Sequence, residues 1–108
     1  MIFSANAGSF NFLARRLSLS SGITILLDKS SYKIDEIIQI KGSGVSASHN
    51  ITIKILKDQT EISELSIVST GIGTYGTIWK VPTDLSPGTY TIKVVDKPKS
   101  AETTFTVQ

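Results

Sequence analysis

Residues 81 to 95 read Val81-Pro-Thr-Asp-Leu-Ser-Pro-Gly-Thr-Tyr-Thr-Ile-Lys-Val-Val95, and no other stretch restricts the fold of this chain as strongly. Proline cannot donate to a sheet ladder and glycine tolerates positive φ. Val81-Pro82 therefore ends one strand, and Pro87-Gly88 aims the next. Beyond the turn, Tyr90, Ile92 and Val94 alternate with Thr89, Thr91 and Lys93. A period of two residues gives a strand with one face buried and the other wet.

The same pattern recurs along the chain. Ile23, Ile25 and Leu27 form a first alternating set, followed by the turn Asp28 to Ser31 and a short extended approach at Tyr32. Ile38 and Ile40 mark a second strand, and Ile51, Ile53 and Ile55 a third, with the loop 42 to 49 between them. Residues 61 to 69 are less regular: Leu65 and Ile67 share one parity, Ile62 and Val68 the other, which predicts a bulge or an edge position. Tyr75, Thr77, Trp79 and Val81 give the inner face of a fifth strand. Residues 89 to 95 form a sixth, the turn Asp96-Lys-Pro-Lys99 stops its ladder, and Phe105 and Val107 belong to a last strand. An all-β antiparallel sandwich of two sheets and about seven short strands follows. It occupies residues 22 to 108, with residues 1 to 21 as an N-terminal extension.

Composition excludes several classes. With 40% hydrophobic and 19% charged residues the chain is globular rather than disordered. Its net charge is +2 and its lysines are scattered over strands and turns, so no nucleic-acid patch is expected. The absence of cysteine removes disulfides, thiolate metal sites and Cys nucleophiles together. No apolar run approaches the roughly 20 residues of a membrane helix, so membrane insertion is not expected.

Three stretches carry a family resemblance: Asp28-Lys-Ser-Ser-Tyr-Lys-Ile-Asp-Glu-Ile-Ile-Gln-Ile-Lys-Gly42, Asn50-Ile-Thr-Ile-Lys-Ile55, and the C-terminal series Gly73 to Pro82, Pro87 to Ile92 and Thr103 to Val107. Together they resemble the bacterial and archaeal immunoglobulin-like surface domains related to macroglobulin (MG2-type) modules, over residues 23 to 107. Ile34 departs from a frequent proline of that family, the hairpin around residues 57 to 61 is poor in glycine, and residues 1 to 21 fall outside the pattern. The resemblance implies a secreted or cell-surface structural or protein-binding module; the architecture by itself hosts many unrelated roles.

Candidate chemistry is sparse. His49 is the sole histidine, so a blue-copper site is excluded, and it is expected to be an exposed loop residue. A Ser-His-Asp triad would lack a Gly-x-Ser-x-Gly elbow. Asp35 and Glu36 are adjacent acids; on a strand they would point to opposite faces, and a turn role is expected instead of a Ca²⁺ site. Asp58, Asp84 and Asp96 stand in turn-forming strings, with no further role expected. Asn50-Ile51-Thr52 is a glycosylation sequon where a loop enters a strand. Tyr75, Trp79 and Tyr90 share inward parities, and a core role is expected for them rather than a ligand platform, with the indole on a central strand. No catalytic residue, cofactor or metal is expected, and no small-molecule ligand.

The extension reads two ways. As a helix, Ser9 caps and Phe10, Leu13 and Leu17 share a face; as a strand, Leu17 and Leu19 alternate with Ser18 and Ser20. Ala5-Asn6-Ala7 matches a signal-peptidase site, which makes a leader remnant one reading of the extension; the apolar stretch that should precede it is missing, and a chance match is the preferred reading. Phe10, Phe12, Leu13, Leu17 and Leu19 need a surface to bury them, either on their own domain or as a strand donated to a neighbour. The expected function is a non-catalytic extracellular structural or protein-binding module, with self-assembly through this segment as its sharper form. The alternative is an accessory or docking subunit of an exported or membrane-bound enzyme complex.

Overall fold

The computed structural model describes residues 22–108, and the extension with its apolar residues lies outside them. The described chain is all-β, with eight strands: β1 (Leu26–Leu27), β2 (Ser31–Tyr32), β3 (Ile37–Ser43), β4 (Asn50–Lys57), β5 (Thr60–Val68), β6 (Thr74–Lys80), β7 (Gly88–Asp96) and β8 (Lys99–Val107). They form an immunoglobulin-like sandwich of a three-stranded sheet, β1-β3-β6, and a five-stranded sheet, β2-β8-β7-β4-β5. All pairings are antiparallel except β2 with β8.

Alternation decides which side chains meet between the sheets. Ile38 and Ile40 of β3, Ile51, Ile53 and Ile55 of β4, and Tyr90, Ile92 and Val94 of β7 are all buried. β-Branched residues suit this pleated, half-buried surface. Phe105 is the meeting point of the aromatics. Its ring stacks on Tyr90 at 5.6 Å between centroids and meets Tyr32 and Trp79 edge-on at 5.9 and 6.4 Å.

The Pro87-Gly88 turn places Tyr90 so that its hydroxyl donates to the Ser86 carbonyl at 2.7 Å. A tyrosine bonding the backbone upstream of its own strand is the tyrosine corner of immunoglobulin-like sandwiches.

Four details differ from the sequence expectation. The first strand narrows to Leu26–Leu27, although Ile23 remains buried. The approach at Tyr32 becomes a strand of its own, crossing to the other sheet to run parallel to the end of β8. The last strand begins at Lys99, because the Asp96↔Lys99 pair closes a two-residue hairpin turn that leaves Pro98 outside the ladder. Trp79 is core, as expected, but its strand β6 is an edge strand rather than a central one. Residues 61 to 69 show both predicted features: β5 is the outer strand of its sheet, and its register against β4 slips between Ile55 and Leu56.

Candidate functional site

The loops 44–49, 69–73 and 97–98 gather at one pole of the sandwich, and a buried carboxylate ties them together. Asp96 continues the inward parity of Tyr90, Ile92 and Val94, so β7 delivers its side chain to the interior, where it is 1% exposed. A carboxylate there needs donors in place of water. Asp96 Oδ2 accepts the Ser46 backbone N–H at 2.7 Å, and Oδ1 lies 2.6 Å from His49 Nδ1. Burial pushes the Asp96 carboxyl up, but the Ser46 donor and the His49 ring outweigh it and hold it below the ordinary aspartate range. An ionised carboxylate can only accept, so the His49 ring donates from Nδ1.

Ser69, 5% exposed, completes the node. Its Oγ accepts the His49 backbone N–H at 2.9 Å and donates to the Ser46 carbonyl. Two ladder-like bonds, Ser69 N–H to the His49 carbonyl and Ser48 N–H to the Thr70 carbonyl, both 2.9 Å, extend the β4–β5 pairing into the loops. Serine, histidine and aspartate thus meet at one place, yet not as a nucleophilic triad. A triad needs the hydroxyl on the ring nitrogen remote from the carboxylate. Here the Ser69 hydroxyl is spent on main chain, and among the described residues no hydrogen bond reaches His49 Nε2.

One expectation stands at this node and one is corrected. His49 is an exposed loop residue, as expected, with its side chain at 51%, and its ring is tied to a buried acid. Asp96 is a cross-link to His49 and Ser46 of the loop 44–49, 47 and 50 residues away in sequence, not a residue bonding its own turn. The parity of Tyr90, Ile92 and Val94 carried one residue pair further would have marked it as inward-facing.

The remaining candidates lie apart. Asp35 and Glu36 sit in the turn before β3 and face different partners: Asp35 Oδ1 is 3.2 Å from Lys80 Nζ, and Glu36 Oε1 is 3.3 Å from Lys29 Nζ. The Lys33 backbone N–H, then Lys29, hold the Glu36 carboxyl below its ordinary range. Asn50 opens β4 with its side chain exposed, at the same pole as His49. Tyr75 and Trp79 are packed inside; the Tyr75 hydroxyl donates to the Thr24 carbonyl at 2.7 Å, and Trp79 Nε1 donates to Ser63 Oγ at 3.1 Å. Among the described residues no group of three or more His, Cys, Asp or Glu side chains could hold a metal, and no helix is long and apolar enough to cross a membrane.

The surface offers a different kind of feature. The outer strand β5 has a neighbour on one side only, and with it come exposed Ile62 (40%) and Val68 (65%) above partly buried Leu65 and Ile67. Ile72, in the loop that follows, is 86% exposed. Unpaired N–H and C=O groups beside apolar side chains are a template for another strand. No protein-family model matches this chain, and no curated protein matches it either.

Proposed function

We propose that this chain is a non-catalytic, extracellular immunoglobulin-like module that works by binding protein, including further copies of itself, with its N-terminal segment as the contact. The observation that carries the reading is the open edge of β5, lined by Ile62, Leu65, Ile67 and Val68. Strand addition to such an edge gives affinity through main-chain bonds and specificity through side-chain slots. The hydrogen-bonded pole supports the same reading, because its polar groups are committed to holding loops in place: a preorganised surface loses less freedom on binding. The resemblance to macroglobulin-like surface modules supports a place outside the cell.

Light scattering across a concentration series tests the proposal. The mass is expected to rise with concentration in the full chain, and the rise is expected to be lost when Leu17 and Leu19 are both replaced by aspartate. A mass that stays monomeric throughout overturns assembly through the segment.

A further inference from the structure

The open edge of β5 has a definable polarity. Thr106 and Gln108 donate their N–H groups to the Ser30 and Tyr32 carbonyls, so Phe105, Thr103 and Ala101 form hydrogen-bonded pairs with Tyr90, Ile92 and Val94 of β7. That leaves Lys93 and Val95 to bond Lys54 and Thr52 of β4, and Ile51 and Ile53 to bond β5. In an antiparallel ladder such pairs alternate with pairs whose backbone groups point away. By the register Ile51↔Ile67 and Ile53↔Leu65, the residues facing β4 are Ile67 and Leu65. Glu64, Ser66 and Val68 therefore turn both N–H and C=O to the open side. Their side chains lie on the exposed outer face, while Leu65 and Ile67 lean inward and stay partly buried.

The strand is also one-sided in charge. Thr60–Val68 holds Glu61 and Glu64 and no lysine or arginine. Glu61 has a cation, Lys54, at 3.6 Å, and Glu64 has no ion pair among the described residues. Both arginines of the chain, Arg15 and Arg16, stand in the N-terminal extension, next to the alternating run Leu17-Ser-Leu-Ser20. Laid out as a strand, residues 16 to 20 put Leu17 and Leu19 on one face and Arg16, Ser18 and Ser20 on the other. The first face matches Leu65 and Ile67; the second brings Arg16 to the outer face that carries Glu64.

We infer that the free edge of β5 is the acceptor for residues 16 to 20 of a second copy of this chain, held by main-chain bonds to Glu64, Ser66 and Val68, by Leu17 and Leu19 against Leu65 and Ile67, and by Arg16 on Glu64. The inference rests on the assembly reading above and names its acceptor. A second copy is required by reach. Gly22 is seated beside Gly44 on the β1 side of the three-stranded sheet. β5 lies at the opposite side, next to β6, where Ser63 meets Trp79. Two residues span at most about 7 Å. The β1-to-β6 distance alone is two strand spacings, about 10 Å. Ser20 therefore cannot lie along β5 of its own sandwich, whereas the edge of a neighbour is free to receive it. Each copy is then donor and acceptor at once, a contact that closes into a ring or runs on as a fibre.

Hydrogen exchange on the full chain, at concentrations below and above the assembly midpoint, is the test. The Glu64, Ser66 and Val68 amides are expected to become protected only above it. Glu64→Arg is expected to raise the midpoint about tenfold, since an attractive exposed pair is replaced by a repulsive one, and Arg16→Glu in the same chain is expected to restore it. Ser66→Pro, which removes an outward-facing donor at an edge, is expected to abolish assembly. Assembly that needs Leu17 and Leu19 but leaves these three amides unprotected overturns the acceptor and leaves the assembly reading standing. Protection that does not depend on concentration overturns the second copy as occupant. A chain that never assembles overturns the assembly reading itself.

Discussion

Asp96 occupies an inward position of β7, in line with Tyr90, Ile92 and Val94, where a carboxylate loses its hydration unless donors replace it. The Ser46 N–H and the His49 ring do so, and with Ser69 they bind three loops into one pole. Asparagine keeps one acceptor oxygen but sets its NH₂ against the other donor, so Asp96→Asn is expected to cost about 2 kcal/mol of stability at neutral pH. His49→Gln keeps a donor near the carboxylate and is expected to cost less. The pH dependence has a definite sign. The folded state holds the Asp96 carboxyl below its ordinary range, so its contribution is complete above the unfolded aspartate value of about 3.9 and is lost as pH falls through the lower folded value. Urea midpoints of the wild type and Asp96→Asn are therefore expected to differ at pH 7 and to converge under strongly acidic conditions. A gap that widens in acid would contradict the assigned ionisation. This node was hidden in the sequence for a physical reason: its partners are 47 and 50 residues apart, and spacing along a strand says nothing about which loop lies above its end.

Strands were legible where period-two alternation was long and unbroken. β4 and β7 keep isoleucine, valine and tyrosine on one parity through their length, and both stand where the pattern puts them. Short elements were not legible, because two residues cannot display a period. β2 exists only because Tyr32 is held by its partners: its hydroxyl donates to Asp28 Oδ1 at 2.7 Å, and its ring meets Phe105. Close approach of elements was equally invisible. Gly42 of β3 lies so near the Thr24 carbonyl and the Tyr75 hydroxyl that an added Cβ would collide with both. The Thr24 carbonyl is also the acceptor for Tyr75, so the collision falls on the bond joining β6 to the segment before β1. Backbone cannot yield as a flexible side chain can. Gly42→Ala is thus expected to destabilise the domain by about 3 kcal/mol through overpacking and loss of that bond. Gly76 has only ordinary contacts at the position of an added Cβ, and Gly76→Ala serves as the control on the neighbouring strand. Equal denaturation midpoints for the two variants would refute the close-approach argument.

Across the whole molecule the two sheets have one shared core, and Phe105 is where its aromatic contacts converge. Its ring touches Tyr32 of β2, Tyr90 of β7 and Trp79 of the opposite sheet. β2 comes early in the described chain and β8 ends it, and their pairing joins those distant segments in one sheet. Such non-local closure favours all-or-none behaviour, since neither sheet can bury its inner face alone. Phe105→Ala is expected to remove about 3–5 kcal/mol. Against a typical total of about 5–15 kcal/mol, that brings the fold near its threshold without dividing it. Trp79 is the single tryptophan, and it lies in the sheet opposite Phe105, so its fluorescence reports on the three-stranded sheet while far-UV circular dichroism reports on both. The two signals are expected to move together in urea, in the wild type and in Phe105→Ala alike, with the variant's midpoint lower. If the Trp79 transition separated from the dichroism in the variant, the sheets would be independently stable, and Phe105 would be a local filler instead of the residue that couples them.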